Sequence, residues 1–99
     1  MDFLVTFELE VPNGTPSSEV DERTRAEAVA AAKLVNEGHL LRVWKRAATA
    51  DDTTAIGLYQ ADSKAELDRL LSALPLADWM QITVVPLATH PNDPAAIAR

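Results

Sequence analysis

Four short apolar segments, separated by helical patterns, constrain the fold of this 99-residue chain more than any other feature. In residues 3–11 apolar and polar side chains alternate, which is the period-2 pattern of a half-buried β-strand. Residues 40–46, 54–60 and 80–87 favour three further strands, and a polar connection between the first two of these predicts a hairpin. The chain therefore supplies four strands for one small sheet.

The segment between the first and second strands favours a long helix. An alanine-rich run over residues 18–37 has acidic side chains in its first turn, where the helix dipole stabilises them. Ser17 or Ser18 is the expected N-terminal cap, and Gly38 is a suitable residue to end the helix. We therefore expect one continuous helix across this segment.

A second, shorter helix is predicted before the last strand. Ser63 and Glu66 have the spacing of a capping box, leucines then recur on one helical face, and Pro75 prevents continuation. The resulting order is β-α-β-β-α-β. It predicts an α+β, ferredoxin-like fold, because right-handed crossovers place both helices on one face of a four-stranded antiparallel sheet.

The other face of such a sheet has no cover within one subunit. Trp44 projects onto that face if Leu41 and Val43 face the helices, since side chains alternate along a strand. A second subunit's sheet would cover it, which predicts a dimeric α+β barrel. We expect residues 1–88 to form the domain and residues 89–99 to form a C-terminal tail that packs on a neighbouring subunit.

Composition excludes several classes of function. Nine Lys and Arg against fifteen Asp and Glu give a net charge of −6, which disfavours nucleic acid as a partner. The absence of cysteine excludes disulfides and thiolate metal sites and suits the cytoplasm. No apolar run approaches the roughly 20 residues of a membrane span. Motifs for nucleotide cofactors, catalytic zinc and serine hydrolysis are absent, so we expect chemistry without a cofactor and no membrane partner.

Glu27 is the most informative residue of the long helix, because it lies on the inward stripe among apolar positions. The stripe consists of Val20, Thr24, Glu27, Ala31, Leu34 and Gly38. A carboxylate beside alanines is partly desolvated, which raises its pKa and suits a proton shuttle near neutral pH. The alternative, which periodicity leaves open, is that Glu27 reaches water at the edge of a narrower stripe.

Two neighbouring strands offer candidate ligand contacts. Arg42 and Trp44 share one face of the second strand and provide a cation and an apolar wall for a small anion. Lys45 continues this basic run, and Tyr59 on the third strand is a candidate hydrogen-bond donor to a substrate. The alternatives are structural, with Arg42 paired to a carboxylate such as Glu8 and Trp44 in a barrel core. A buried Tyr59 would then bond the backbone.

Several short stretches are characteristic together by their order and spacing. These stretches are Phe3-Leu4-Val5, Glu37-Gly38 followed by Val43-Trp44-Lys45, Leu74-Pro75-Leu76 with Trp79-Met80-Gln81-Ile82, and His90-Pro91. Through them, and over nearly its whole length, the chain resembles the muconolactone Δ-isomerase family, small ferredoxin-like proteins of aromatic catabolism in the β-ketoadipate pathway.

The resemblance implies a cofactor-independent isomerase that moves an allylic proton in a small anionic unsaturated lactone, as in the conversion of muconolactone to 3-oxoadipate enol-lactone. It implies Glu27 as the acid and base. It also implies a homo-oligomer built from dimers, for which a decamer is a candidate. The substrate carboxylate needs a cation, for which Arg42 and Lys45 are the candidates.

Residues 47–54 depart from the family pattern. Family members carry an aromatic-rich segment there, with a tyrosine assigned to the active site, whereas this chain has no aromatic residue in that stretch. The alternative interpretation is therefore a divergent, non-isomerase dimeric α+β barrel that binds a small ligand, because a shared fold does not settle function.

Overall fold

The computed structural model describes residues 1–97 and confirms the predicted β-α-β-β-α-β order, to which it adds a 3-10 turn before the last strand and a short helix after it that were not predicted. The strands pair antiparallel in the order β2-β3-β1-β4. The elements are β1 (Asp2–Leu9), α1 (Ser17–Asn36), β2 (Leu40–Lys45), β3 (Ala55–Gln60), α2 (Lys64–Ser72), a 3-10 turn (Ala77–Trp79), β4 (Met80–Leu87) and α3 (Pro94–Ile97).

The sheet register determines which side chains face the helices. Phe3, Val5 and Phe7 of β1 are buried, and their partners on β3 are Tyr59, Gly57 and Ala55. Opposite residues of paired strands point to the same face, so this row lies under the helices. Leu67 and Leu71 of α2 and Leu34 of α1 complete the core above it.

β2 continues the helix-facing surface with one irregularity. Val43 pairs with Gly57, whereas the register shifts between Leu40 and Arg42 in a β-bulge at Leu41. Leu40 is buried and Leu41 is exposed, so the expectation that Leu41 faces the helices is wrong. The bulge moves the preceding residue into the core instead.

The limits of several elements differ from the sequence prediction, and those of α1 and β1 have a visible structural cause. α1 begins at Ser17 with Pro16 as its N-cap and without a side-chain cap, so the expected serine cap is wrong. The fixed φ of a proline suits a helix start, and the Pro16 carbonyl accepts from the amides of Glu19 and Val20. β1 ends at Leu9, because the position opposite Glu10 belongs to the 3-10 turn, and one last in-register hydrogen bond from the Glu10 amide to the Trp79 carbonyl closes the ladder.

The other predicted helix signals are confirmed. The Ser63 hydroxyl accepts a 3.1 Å hydrogen bond from the Glu66 amide, and the Glu66 carboxylate accepts from the amide of Asp62. Gly38 follows the end of α1 with φ +81°, a conformation that glycine adopts without steric cost. Its neighbour His39 donates its amide to the Leu34 carbonyl, which closes the helix.

The second face of the sheet is open, and Trp44 lies on it as predicted. Trp44 pairs with Ile56, which pairs in turn with Thr6 of β1. The residues on either side of Thr6 face the helices, so Thr6, Ile56 and Trp44 face the opposite side of the sheet. Trp44 and Val85 leave 43% and 47% of their surfaces exposed there. Residues 88–96 are exposed beyond β4. Within residues 1–97 no helix is both long enough and apolar enough to cross a membrane.

Candidate active site

A cavity of about 280 Å³ lies between α1 and the helix-facing side of the sheet. Its polar side chains are Glu27, Thr53 and Tyr59, and the remaining wall is apolar. The apolar residues are Phe7, Leu9, Ala31, Leu40, Val43, Ala55, Leu76 and Met80. Ala31 faces this cavity from α1, and its short side chain leaves space between the helix and the sheet. A mostly apolar cavity with a few converging polar groups is typical of a small-molecule site.

A larger groove of about 670 Å³ lies outside α2 and along β4. Its charged residues are Lys64, Asp68 and Asp78, of which Lys64 and Asp68 form an ion pair of 2.9 Å on the surface of α2. It contains neither Glu27 nor Tyr59, so we place the candidate site in the smaller cavity.

Glu27 is half-buried on α1, and its carboxylate is held by the backbone of another segment. The Leu76 amide donates a 3.0 Å hydrogen bond to Glu27 Oε1. Burial raises the pKa of Glu27, and this hydrogen bond partly opposes the rise because it stabilises the ionised form. The side chain faces the cavity rather than bulk water, and its raised pKa suits both removal and return of a proton.

Tyr59 reaches the same cavity from β3. Burial, together with the negative charge of Glu27, raises the pKa of Tyr59 to about 12. No hydrogen-bond partner among residues 1–97 contributes to this pKa, so the expected alternative of a backbone bond is not seen. The hydroxyl is therefore protonated at neutral pH and available to donate to a ligand.

Thr53 enters the cavity from the loop between β2 and β3, and sequence reasoning missed it. The loop is anchored by Asp52, whose carboxylate accepts from Arg46 Nε at 2.6 Å and from the amides of Thr54 and Ala48. The hydrogen bond from Arg46 and those two amides hold the pKa of Asp52 well below its usual range. The Thr54 amide donates to Asp52 Oδ1, two residues earlier in the chain, which forms an Asx turn that the Asp52-Thr53-Thr54 sequence favours.

The remaining predicted ligand contacts are divided between the two faces of the sheet. Arg42 and Trp44 lie on the open face, with the Arg42 guanidinium 5.1 Å from the centre of the Trp44 ring. Within one subunit they are separated from Glu27 by the sheet. No ion pair between Arg42 and Glu8 is present in residues 1–97. Lys45 pairs with Ala55 and lies on the cavity side, next to the wall but outside its lining.

The described part of the chain contains no group of three or more His, Asp or Glu side chains arranged to hold a metal ion. The fold and the cavity define a ferredoxin-like α+β protein whose small-molecule site lies between the sheet and the long helix.

Comparison with known proteins identifies the family of this chain. The family model for muconolactone delta-isomerase matches residues 1–93. The muconolactone delta-isomerase of Cupriavidus pinatubonensis is 30% identical over 91% of this chain and 95% of its own length. Muconolactone delta-isomerase 1 of Acinetobacter lwoffii is 28% identical over 91% of both chains.

Solved structures agree with this match. A crystal structure of muconolactone isomerase superposes with a TM-score of 0.83 at 26% identity, over 94% of each chain. The 5-chloro-2-hydroxyhydroquinone dehydrochlorinase of Burkholderia phenoliruptrix, at 17% identity and a TM-score of 0.67, shares the fold. The chain belongs to the muconolactone Δ-isomerase family, is an isomerase-type enzyme and has the fold of the dimeric α+β barrels.

Proposed function

We propose that this enzyme isomerises muconolactone, or a closely related small anionic unsaturated lactone, to its enol-lactone without a cofactor. The observation that carries the proposal is the half-buried Glu27 carboxylate facing a cavity of about 280 Å³ with Tyr59 in the same wall. The names of the relatives support the lactone as substrate class. Aromatic catabolism is then the proposed setting.

Glu27 performs both proton transfers. Its ionised carboxylate removes a proton from a carbon of the unsaturated lactone, and the C–H electron pair delocalises through the conjugated system onto the lactone carbonyl oxygen. The carboxylic acid so formed returns the same proton to the other end of the allylic system. The reaction is balanced, because one proton changes position and Glu27 ends ionised.

Tyr59 stabilises the dienolate between the two transfers. Its neutral hydroxyl donates a hydrogen bond to the oxygen on which negative charge develops, in a cavity where a donor is worth more than in water. Tyr59 thereby supplies a phenol in a site whose loop, residues 47–54, has none. Thr53 is the polar group that the loop brings to the cavity instead.

Lys45 is the proposed partner of the substrate carboxylate. The described cavity lining contains no cation, and Lys45 lies on the same face of β2 as Val43, which does line the cavity. Arg42 and Trp44 keep their predicted binding role only in an assembly that brings the open face of one subunit to the cavity of another.

The proposed assembly is a homo-oligomer of dimers, with a decamer as the candidate form, in which open sheet faces pair. The exposed Trp44 and Val85 support this arrangement. The tail, residues 89–99, is proposed to pack on a neighbouring subunit, and its last two positions lie outside the described residues. Trp44→Glu is expected to yield monomers in multi-angle light scattering, whereas Val11→Glu, at an exposed loop position, leaves the assembly unchanged. A Trp44→Glu protein of unchanged mass would place the interface elsewhere.

An ultraviolet assay of muconolactone with wild-type protein and Glu27→Gln tests the proposed reaction. We expect at least about a 100-fold loss of turnover in the variant, the scale associated with removal of a general base. Glu22→Gln, at an exposed position of the same helix, is the control. In D₂O, wild-type product with little deuterium would indicate that Glu27 returns the proton it removed, whereas high incorporation would indicate exchange of that proton with solvent between the two transfers. Full activity of Glu27→Gln would remove Glu27 from the role.

A second candidate function is binding of a small ligand without isomerisation. The loop that lacks a tyrosine favours it. Wild-type protein that binds the lactone in calorimetry but leaves it unchanged would establish this alternative.

The cytoplasm is the proposed location, supported by the cysteine-free sequence, and cell fractionation would test it.

A further inference from the structure

Arg23 lies one helical turn before Glu27 on α1 and makes several contacts with a single neighbouring segment. Its Nη1 is 2.8 Å from Asp78 Oδ1 and donates to the Pro75 carbonyl at 3.3 Å. Its guanidinium lies 4.2 Å from the centre of the Trp79 ring. A weaker pair with Glu19, at 3.6 Å, stays within α1.

These contacts and the hydrogen bond to Glu27 converge on residues 75–79. Arg23 contacts Pro75 at the start of this segment and Asp78 and Trp79 at its end. The Leu76 amide, between them, is the group that bonds the Glu27 carboxylate. α1 therefore contacts both ends of this segment through the Arg23 side chain and its middle through the Glu27 carboxylate, which accepts from the Leu76 amide.

We propose that Arg23 is a positioning residue, which holds residues 75–79 against α1 so that the Leu76 amide stays directed at the Glu27 carboxylate. The inference rests on the proposed role of Glu27 as the base. A guanidinium suits this role, because its planar group stacks on an indole while its N–H groups donate to acceptors at the edge, whereas an ammonium is not planar and cannot stack.

The segment has other anchors, so loss of Arg23 leaves the protein folded. The side chains of Leu76 and Trp79 are buried, and the Trp79 carbonyl accepts a 2.7 Å hydrogen bond from the Glu10 amide. In the proposal, Arg23 additionally fixes the direction of the Leu76 amide. Removal of Arg23 should therefore change the pKa of Glu27 more than the stability of the fold.

Several charged or titratable groups surround Glu27, and the test must distinguish their effects on the pKa of Glu27 from that of Arg23. Arg23 lies on its own helix, Tyr59 faces it from β3, and Lys45 lies on the same side of the sheet. Asp78, on the 3-10 turn, is paired to Arg23. Removal of Arg23 takes away one positive charge as well as the contacts, so a charge-matched control is required.

The experiment compares Arg23→Gln and Arg23→Lys with Arg25→Gln, which removes the same charge from an exposed position of α1. Amide NMR spectra recorded against pH follow Leu76, whose shift should report ionisation of Glu27 in wild type and lose that titration in Glu27→Gln. In Arg23→Gln the Leu76 titration should weaken. The pKa of Glu27 should rise by about one pH unit, because its carboxylate loses a charge-assisted hydrogen bond.

The rate profile supplies a second readout. In Arg23→Gln the acidic limb of kcat/KM should move to higher pH by about one unit, with a loss of rate that approaches about tenfold on that limb, while Arg23→Lys lies between. An unchanged Leu76 titration, a fall in the Glu27 pKa, or an equal effect of Arg25→Gln would overturn the inference. The NMR titration needs no substrate, so an inert wild-type enzyme would refute the proposed function while leaving the positioning role separately decided.

Discussion

The ring of Tyr59 lies against Gly57, two residues earlier on the same face of β3. A Cβ atom built on Gly57 would lie 2.6 Å from Tyr59 Cε1, closer than side chains approach. The absence of a side chain at 57 therefore lets the phenol lie flat along the sheet, where its hydroxyl reaches the cavity that contains Glu27.

Tyr59→Phe should distinguish the contribution of the Tyr59 hydroxyl to catalysis from the contribution of the ring to packing. The ring keeps its packing, so the Tm changes little, whereas loss of the donor to the dienolate should lower kcat by about 100-fold with KM nearly unchanged. Gly57→Ala keeps the hydroxyl but displaces the ring, and should lower kcat as well. Steady-state kinetics with thermal melts would measure both. A Tyr59→Phe enzyme with wild-type kcat would show that the hydroxyl is no part of the reaction.

The phenol of Tyr59 should titrate near pH 12, because burial and the charge of Glu27 both oppose ionisation. Tyr59 is the only tyrosine in the chain, so absorbance at the phenolate band reports it alone. Glu27→Gln removes the negative charge and should lower this pKa, although burial keeps it above the ordinary 10. An identical titration in both proteins would mean that the two side chains do not interact.

The activity should fall in acid as Glu27 becomes protonated. Because burial raises the pKa of Glu27, the acidic limb of kcat/KM should lie above the ordinary value of 4.5. The same shift affects stability. Folded Glu27 binds its proton more tightly than unfolded Glu27, so its contribution to the free energy of unfolding is present below about 4.5 and is lost as the pH rises through the folded pKa.

Urea unfolding of wild type and Glu27→Gln between pH 4 and pH 8 measures this contribution. The variant should gain stability relative to wild type as the pH rises, since it carries no charge to desolvate. A difference that is constant across the range would contradict the raised pKa.

Lys45→Met and Arg42→Met distinguish the two candidate partners of the substrate carboxylate. Lys45 lies on the cavity side of β2 and Arg42 on the open side, over Trp44. We expect Lys45→Met to raise KM by about tenfold with a smaller effect on kcat, because ground-state binding is lost. Arg42→Met should leave KM within about twofold. The reverse pattern would assign the carboxylate to Arg42, brought by another subunit.

Asp52→Asn should loosen the loop that carries Thr53. The variant loses the charged partner of Arg46, so we expect a lower Tm at pH 7 and a rise in KM larger than the fall in kcat. The pKa of folded Asp52 lies well below its usual 3.8, so its stabilisation is present above that pH and is lost progressively as the pH falls from there through the folded pKa. The Tm difference should therefore be constant from pH 7 to about pH 5 and begin to shrink below pH 4. Asp51→Asn, at the exposed neighbouring position, is the control.

Most of the fold could be predicted from periodicity and capping signals. Alternation along residues 3–9, the Ser63 cap and Gly38 each report a local preference of the backbone, and the structure confirms all three. The bulge at Leu41 and the proline start of α1 could not be predicted. They depend on how a strand or helix meets its neighbours, which no local pattern contains.

The candidate site, like the fold, could be predicted from the sequence only in part. Periodicity placed Glu27 on the inward stripe of the long helix, and alternation placed Arg42 and Trp44 on one face of their strand. Neither showed that the sheet separates this pair from Glu27, nor that Tyr59 and Thr53 join it. Leu76 escaped notice because its contribution is a backbone amide, and every residue but proline has one.

The sequence by itself determined the elements, their order and the residue types that could do chemistry, because these follow from the backbone preferences and polarity of neighbouring residues. Only the tertiary structure decided which of those residues meet. Glu27 and Leu76 are 49 positions apart, and Arg23 and Asp78 are 55 apart, yet each pair is in contact. Contacts of that range depend on register, bulges and helix packing across the whole sheet, and the desolvation that raises the pKa of Glu27 exists only once the packing is complete.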